Sequence, residues 1–284
     1  MRFIGVVVFW LATTVALAVA VPAAWAQRNV VEEDGYTQLA ERAAHDPALQ
    51  SAMAAELTTR ATALIAERSG GTRPVDSSKV RLVATAFTAG PSFPPLFAQV
   101  NRAAHTWLFS EPRAGGDQLV VDVAPMLKDS SIQQTLSGYN VRVPETLQVP
   151  LTVTAGQTLR QGQLHWAAVW GPWVSIGAVA LSGVCGLLTL LIARRRGKAL
   201  TSLGVSALLV GATGWVGMEL AARYIDVVLN QTTGDIRRMA DVMVVHTEGS
   251  LHIWLNLTLI AGAGLVAFGV LVAVLGGLLR RPAK

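Results

Sequence analysis

The chain has 284 residues, 52% of them hydrophobic and only 14% charged, far below the ~25% charged content of an ordinary soluble domain, which argues for a membrane protein. A net charge of +5 raises nucleic acid as a partner, but residues 27–165 carry 12 Lys and Arg against 13 acids, and residues 223–250 carry 3 against 4. The basic excess stands entirely in short runs beside apolar stretches (Arg2, Arg194, Arg195, Arg196, Lys198, Arg280, Arg281 and Lys284), so it is a topology signal and excludes a nucleic-acid footprint.

Residues 1–26 form an N-terminal membrane anchor or a signal peptide. Ala24 and Ala26 fit a cleavage site before Gln27, yet the apolar run from Phe3 to Val21 exceeds the roughly 7 to 15 residues of a signal core and favours a retained anchor.

Residues 27–165 are long enough for a domain of their own, expected outside the cytoplasm. Apolar spacing predicts two helices between Asp34 and Gly70, joined at a corner where Asp46 caps and Pro47 opens the second. Residues 72–91 read as a loop around an apolar patch from Val80 to Phe87 with helical potential. The stretch FPPLFAQVNRAAHTWLF, 93–109, is a helix with Leu96, Phe97, Val100, Ala104, Trp107 and Leu108 on a broad face. Alternation at Leu119, Val121 and Val123, then Val141, Val143, Leu147, Val149, Leu151 and Val153, predicts strands, with Pro144 and Pro150 confining the latter to an edge. A short helix over 126–137 lies between them. The expected class is an α-helical membrane protein of about four spans with a small α+β extracytoplasmic domain. From Gln157 to His165 an amphipathic lead-in is expected to continue as helix into the next span.

The remaining segments are a transmembrane helix at 166–193, a cytoplasmic loop at 194–200, a transmembrane helix at 201–222, an extracytoplasmic amphipathic segment at 223–251, a transmembrane helix at 252–279 and a cytoplasmic tail at 280–284. Basic flanks mark the inside, and Trp25, Trp166, Trp170, Trp173 and Trp254 fall near the outer boundaries. Small residues every fourth position (Ala178, Ser182, Gly186; Thr213, Gly217, Ala221; Gly269, Ala273, Gly277) suit close helix packing in lipid. In the amphipathic segment Ile236, Met239, Ala240 and Met243 share one face.

Motifs of chemistry are sparse. The single Cys185 lies in an apolar run, and no P-loop, G-x-S-x-G or H-E-x-x-H occurs, so no enzyme activity and no cofactor is implied. His246, Glu248 and His252 lie close in sequence without tight metal-ligand spacing, and read as an interfacial loop. Glu219 and Arg223, four apart near the outer end of a span, read as an interfacial ion pair. Asn101 and His105, also four apart, with Asp122 on the following strand as a partner for His105, read as a structural hydrogen-bond network, with ligand binding and catalysis ranked behind.

These residues also carry a resemblance. Asp34 and Tyr36, then Asp46, Pro47 and Gln50, then Phe97, Asn101 and His105, then Asp122 and Pro125, in this order, resemble a group of uncharacterised actinobacterial multi-pass membrane proteins. Where that group commonly has Trp before the Asn-His core, this chain has Leu96 and Phe97. The resemblance implies a mycobacterial-type envelope and a cytoplasmic-membrane location, and no activity. The expected partners are the lipid bilayer and an envelope protein or a second copy. The expected role is a scaffold, sensor or assembly factor, with a transporter accessory or small-solute permease as the alternative and an envelope enzyme behind both.

Overall fold

The computed structural model describes residues 2–68, 76–112, 120–122, 124–138, 145–146, 148–150, 160–229 and 234–278. They form two compact units: Met1–Val30 with Val169–Ala222 and Glu248–Lys284, and Val31–Ala168 with Arg223–Thr247.

The first unit is built on α1 (Arg2–Ala26), which continues as a π-helical turn over Gln27–Val31, and on parts of α8 (His165–Ile192), α9 (Arg196–Leu229) and α10 (Gly234–Leu278). Among the described residues four helices are long and apolar enough to cross a membrane, over Ile4–Val31, His165–Ile192, Arg196–Val227 and Gly234–Gly276. On that ground the chain is a multi-pass integral membrane protein. Large apolar side chains such as Ile176, Leu187, Ile260 and Leu271 face outward, as they do when lipid is the solvent.

Polar and small residues set the packing. Trp10 Nε1 donates to Ser202 O at 2.9 Å, and the Thr14 and Ser206 hydroxyls meet at 2.8 Å. Both partners advance by four residues, so α1 and α9 run parallel. Helix α10 runs antiparallel to α9 along a glycine seam. A Cβ on Gly197 would fall 2.6 Å from Ala273 N, one on Gly204 2.7 Å from both Gly262 O and Val266 N, and one on Gly211 2.6 Å from Leu259 Cδ2. The seam therefore repeats every seventh residue, as it does when two helices wrap slightly around each other to stay in contact. The fourfold repeat through Gly217 serves otherwise: a Cβ there meets nothing within 4 Å, and Thr213, Gly217 and Ala221 line a hollow of about 340 Å³ with Ala18, Pro22 and Leu251.

The second unit corrects the expected α+β fold. Its core is helix on helix: α2 (Glu33–Ala43) packs on α5 (Phe93–Phe109), and α3 (Pro47–Arg68) packs on α4 (Ser77–Thr88). Leu49, Ile65, Phe87, Phe93, Met126 and Leu127 fill the middle. Alanine-rich α2 and α3 allow these backbones to approach, and Ala40, Ala43, Ala44 and Ala52 are fully buried. The helices, not a sheet, supply the apolar layers. Among the described residues pairing is confined to β1 (Val120–Asp122) and β2 (Gln148–Pro150), an antiparallel ribbon with Val120 opposite Pro150, Val121 opposite Val149 and Asp122 opposite Gln148. Asp122 Oδ1 accepts from Ala124 N at 2.9 Å and so opens α6 (Ala124–Leu127). Leu119, Val123, Val141, Val143, Leu147, Leu151 and Val153 lie outside the described residues.

The corner at Asp46-Pro47 forms as read: Asp46 Oδ1 accepts from Ala48 N at 2.8 Å. The patch from Val80 to Phe87 is helical, opened by Asp76, whose carboxylate accepts from the Ser78 and Lys79 amides at 3.1 and 3.3 Å. The hydrogen bond from the Ser78 hydroxyl, followed by that from the Lys79 amide, holds the Asp76 carboxyl below its ordinary range. The short helix over 126–137 resolves into α6 and α7 (Ser130–Gly138). Of residues 223–251, 223–229 are the end of α9 and 234–251 the start of α10, and 230–233 lie outside the described residues. Val242 and Met243 pack against the core of this unit, and Arg237 bridges Asp226 and Asp241.

Candidate functional site

Helix α5 carries the residues singled out in the sequence. Ser92 precedes it and Pro94 sits in its first turn, where a missing N–H costs nothing. From there one side of the helix bears a residue at every fourth position: Phe93, Phe97, Asn101, His105 and Phe109. The two ends of this ladder are aromatic. Phe93 meets Phe97 at a ring-centroid distance of 5.6 Å and Phe87 edge-on at 5.9 Å, while His105 stacks on Phe109 at 4.2 Å.

The middle is polar and satisfied from within. Asn101 Nδ2 donates to Phe97 O at 2.9 Å, and its Oδ1 accepts from the Tyr36 hydroxyl at 3.3 Å. Tyr36 lies on α2 with its ring 5.2 Å from that of His105. His105 is only 5% exposed, so its imidazole is part of the packing between α2 and α5. The rim of this contact is ionic: Arg102 reaches Glu33 at 3.3 Å and Asp34 at 3.2 Å, and Thr106 donates to Glu33 at 3.0 Å. Such exposed pairs contribute about 0–1 kcal/mol each and mainly fix orientation.

The structure thus joins Asn101 and His105 through Tyr36, which the sequence reading did not single out as a site residue. Asp122 caps α6, and its strand packs against α5. Glu219 and Arg223 are exposed, one turn apart on α9. His246 and His252 have separate partners. His246 Nε2 lies 3.2 Å from Asp46 Oδ2, whereas the His252 ring stacks on Trp215 at 3.8 Å. Among the described residues no three His, Cys, Asp or Glu side chains gather as a metal site. The hydroxyls nearest in kind to nucleophiles are turned to local backbone, Ser110 Oγ donating to Trp107 O at 3.2 Å and Ser137 Oγ to Gln134 O at 2.8 Å.

The far end of α5 has a second role. Its last carbonyls, orphaned as in any helix, accept from a turn that precedes α8: Gly162 N to Trp107 O at 3.1 Å and Leu164 N to Leu108 O at 3.0 Å. His165 Nδ1 lies 3.3 Å from Phe109 O. Residues 161–164 are therefore a turn and not the helical lead-in expected, because Gly162 has φ 71°, outside any right-handed helix.

Burial pushes the Tyr36 hydroxyl above the ordinary tyrosine value of about 10. The stabilisation from the neutral phenol is complete below about pH 10 and is lost as pH rises through the elevated value. Tyr36→Phe is expected to cost about 1 kcal/mol at neutral pH and to flatten the alkaline fall in thermal midpoint, read by melting both proteins across that range. His105→Ala is expected to cost about 2 kcal/mol through the cavity left under Phe109, while His105→Phe, which keeps a ring in the stack, recovers most of it. A His105→Phe protein as unstable as His105→Ala would show that the imidazole nitrogens carry the interaction.

No family model, curated protein or solved structure matches this chain. What its geometry defines is an integral membrane protein with a helical domain braced by an internal aromatic and polar ladder.

Proposed function

We propose that this protein is a non-enzymatic component of the cell envelope that scaffolds, senses or assists assembly by binding an envelope protein or a second copy through the domain at 27–165. Both termini are cytoplasmic and that domain is extracytoplasmic, a reading supported by the basic runs at Arg2, 194–198 and 280–284. The resemblance to actinobacterial membrane proteins supports an envelope of that type.

The observation that carries the proposal is the inward commitment of the polar ladder. Tyr36 bonds to Asn101, Asn101 bonds back to α5, the His105 ring packs between Tyr36 and Phe109, and the hollow between Leu57, Ala61, Val80 and Leu127 holds only about 10 Å³, the space of about one water. The surface proposed for recognition is the outer face of the helices. There Leu82 is 72% exposed on α4 while its neighbours Val80, Ala84 and Phe87 face the core. A photo-crosslinking residue at Leu82, and a second at the exposed Glu41 on α2, is expected to give one discrete adduct in native membranes. Inserted protein that yields no adduct from either position would overturn the reading.

The hollow of about 340 Å³ beside Thr213 and Gly217 favours a second reading, a transporter accessory or permease. Under it, Glu219→Gln abolishes uptake of a solute. Under the scaffold reading it leaves every uptake rate unchanged.

A further inference from the structure

We propose that the turn between α8 and α9, together with the end of α10, forms a binding site for the phosphate headgroup of an anionic phospholipid. Four cations, Arg194, Arg195, Arg196 and Lys198, line a hollow of about 460 Å³ whose other wall is Val272, Ala273 and Gly276 of α10. All four are exposed, and no acid occurs in the sequence between His165 and Met218 or between Leu251 and Lys284 to neutralise them.

Backbone contact holds the hollow open. Gly197, in the midst of the cations, is buried so closely on α10 that a Cβ would fall 2.6 Å from Ala273 N and 2.7 Å from Gly269 O. This fixes the turn against α10 and leaves the long cationic side chains to border the space. A positive rim beside an apolar wall matches an amphipath: the phosphodiester meets the guanidinium groups, which favour phosphate geometry, and the glycerol and first methylenes meet Val272 and Ala273. A soluble phosphate would leave that apolar wall unused. The site depends on membrane insertion and is indifferent to which way the bundle faces.

The test is native mass spectrometry of the full chain in mild detergent, titrated with dioleoyl phosphatidylglycerol, with dioleoyl phosphatidylcholine of identical chains, and with inorganic phosphate as competitor. The expected result is retention of the glycerol lipid over the choline lipid. The double variant Arg195→Gln with Arg196→Gln should weaken it by about 25-fold, about 5-fold for each charge. Gly276→Leu changes no charge but places a side chain where a Cβ meets nothing within 4 Å, and should also abolish selective retention. Equal retention of the two lipids would overturn the proposal. So would full phosphatidylglycerol binding by a folded Gly276→Leu protein, which would assign the effect to loop charge alone, or displacement by inorganic phosphate, which would assign the site to a free anion. Should Gly276→Leu fail to fold, the double variant of exposed side chains decides.

Discussion

Gly204→Ala is expected to destabilise the membrane unit by about 3 kcal/mol, the upper end of what one added methyl costs in a packed interior. The new Cβ would lie 2.7 Å from Gly262 O and Val266 N, and both are backbone atoms of α10. A side chain can rotate away, but a helix axis has to move as a whole. Separation at Gly204 would also loosen the contacts at Gly197 and Gly211 on the same seam. The control is Gly217→Ala on the same helix, where nothing stands within 4 Å and the gain in helix propensity is unopposed. Thermal midpoints in detergent should fall for the first and hold or rise for the second. Equal midpoints would mean that α9 and α10 do not pack through this seam.

Gly162→Ala is the second large effect, expected at about 3 kcal/mol. Two costs add here: about 1–2 kcal/mol for a Cβ at positive φ, and overlap with Ser110 O and Pro112 N, each 2.7 Å from the Cβ position. Gly234 separates them, because it has φ 74° with nothing within 4 Å of its Cβ. Gly234→Ala should therefore show the conformational cost alone, and the difference between the two variants measures the overlap. Amide exchange at Gly162 and Leu164 gives a local readout, since these amides donate to the end of α5. Faster exchange there in Gly162→Ala, with the ladder around Phe93 still protected, would place the damage at this junction.

The sequence made the membrane helices legible because length and apolar composition alone define them. The Asp46-Pro47 corner and helix α5 were legible for a similar reason, since cap, proline and periodic core are all local. The α+β expectation fails because alternation of Val and Leu suits a sheet core equally well in sequence, whereas helices α2 to α5 already fill the layers. The glycine seam is legible in part: Gly269 and Ala273, four apart, do meet Gly197, whereas the sevenfold repeat of Gly197, Gly204 and Gly211 on α9 shows only against its partner helix. Pairs such as Asp46 with His246, 200 residues apart, leave no local trace at all. For the candidate site, the spacing of Asn101 and His105 was visible, but Tyr36 entered only through the packing of α2 on α5.

The two hydrogen bonds between α1 and α9 have an electrical consequence. Because α1 and α9 run parallel and α10 returns antiparallel, the start of α1, the Arg194–Lys198 turn and the end of α10 occupy one end of the bundle. In a bilayer polarised negative on that side by about 100 mV, carrying Arg194, Arg195, Arg196 and Lys198 across would cost about 2.3 kcal/mol each, about 9 kcal/mol together. Helix α1 contributes no such charge in its apolar length, yet it shares the bias: reversing it alone would break its register with Ser202 and Ser206. A voltage of that sign acting on the turn would thereby bias the first helix as well.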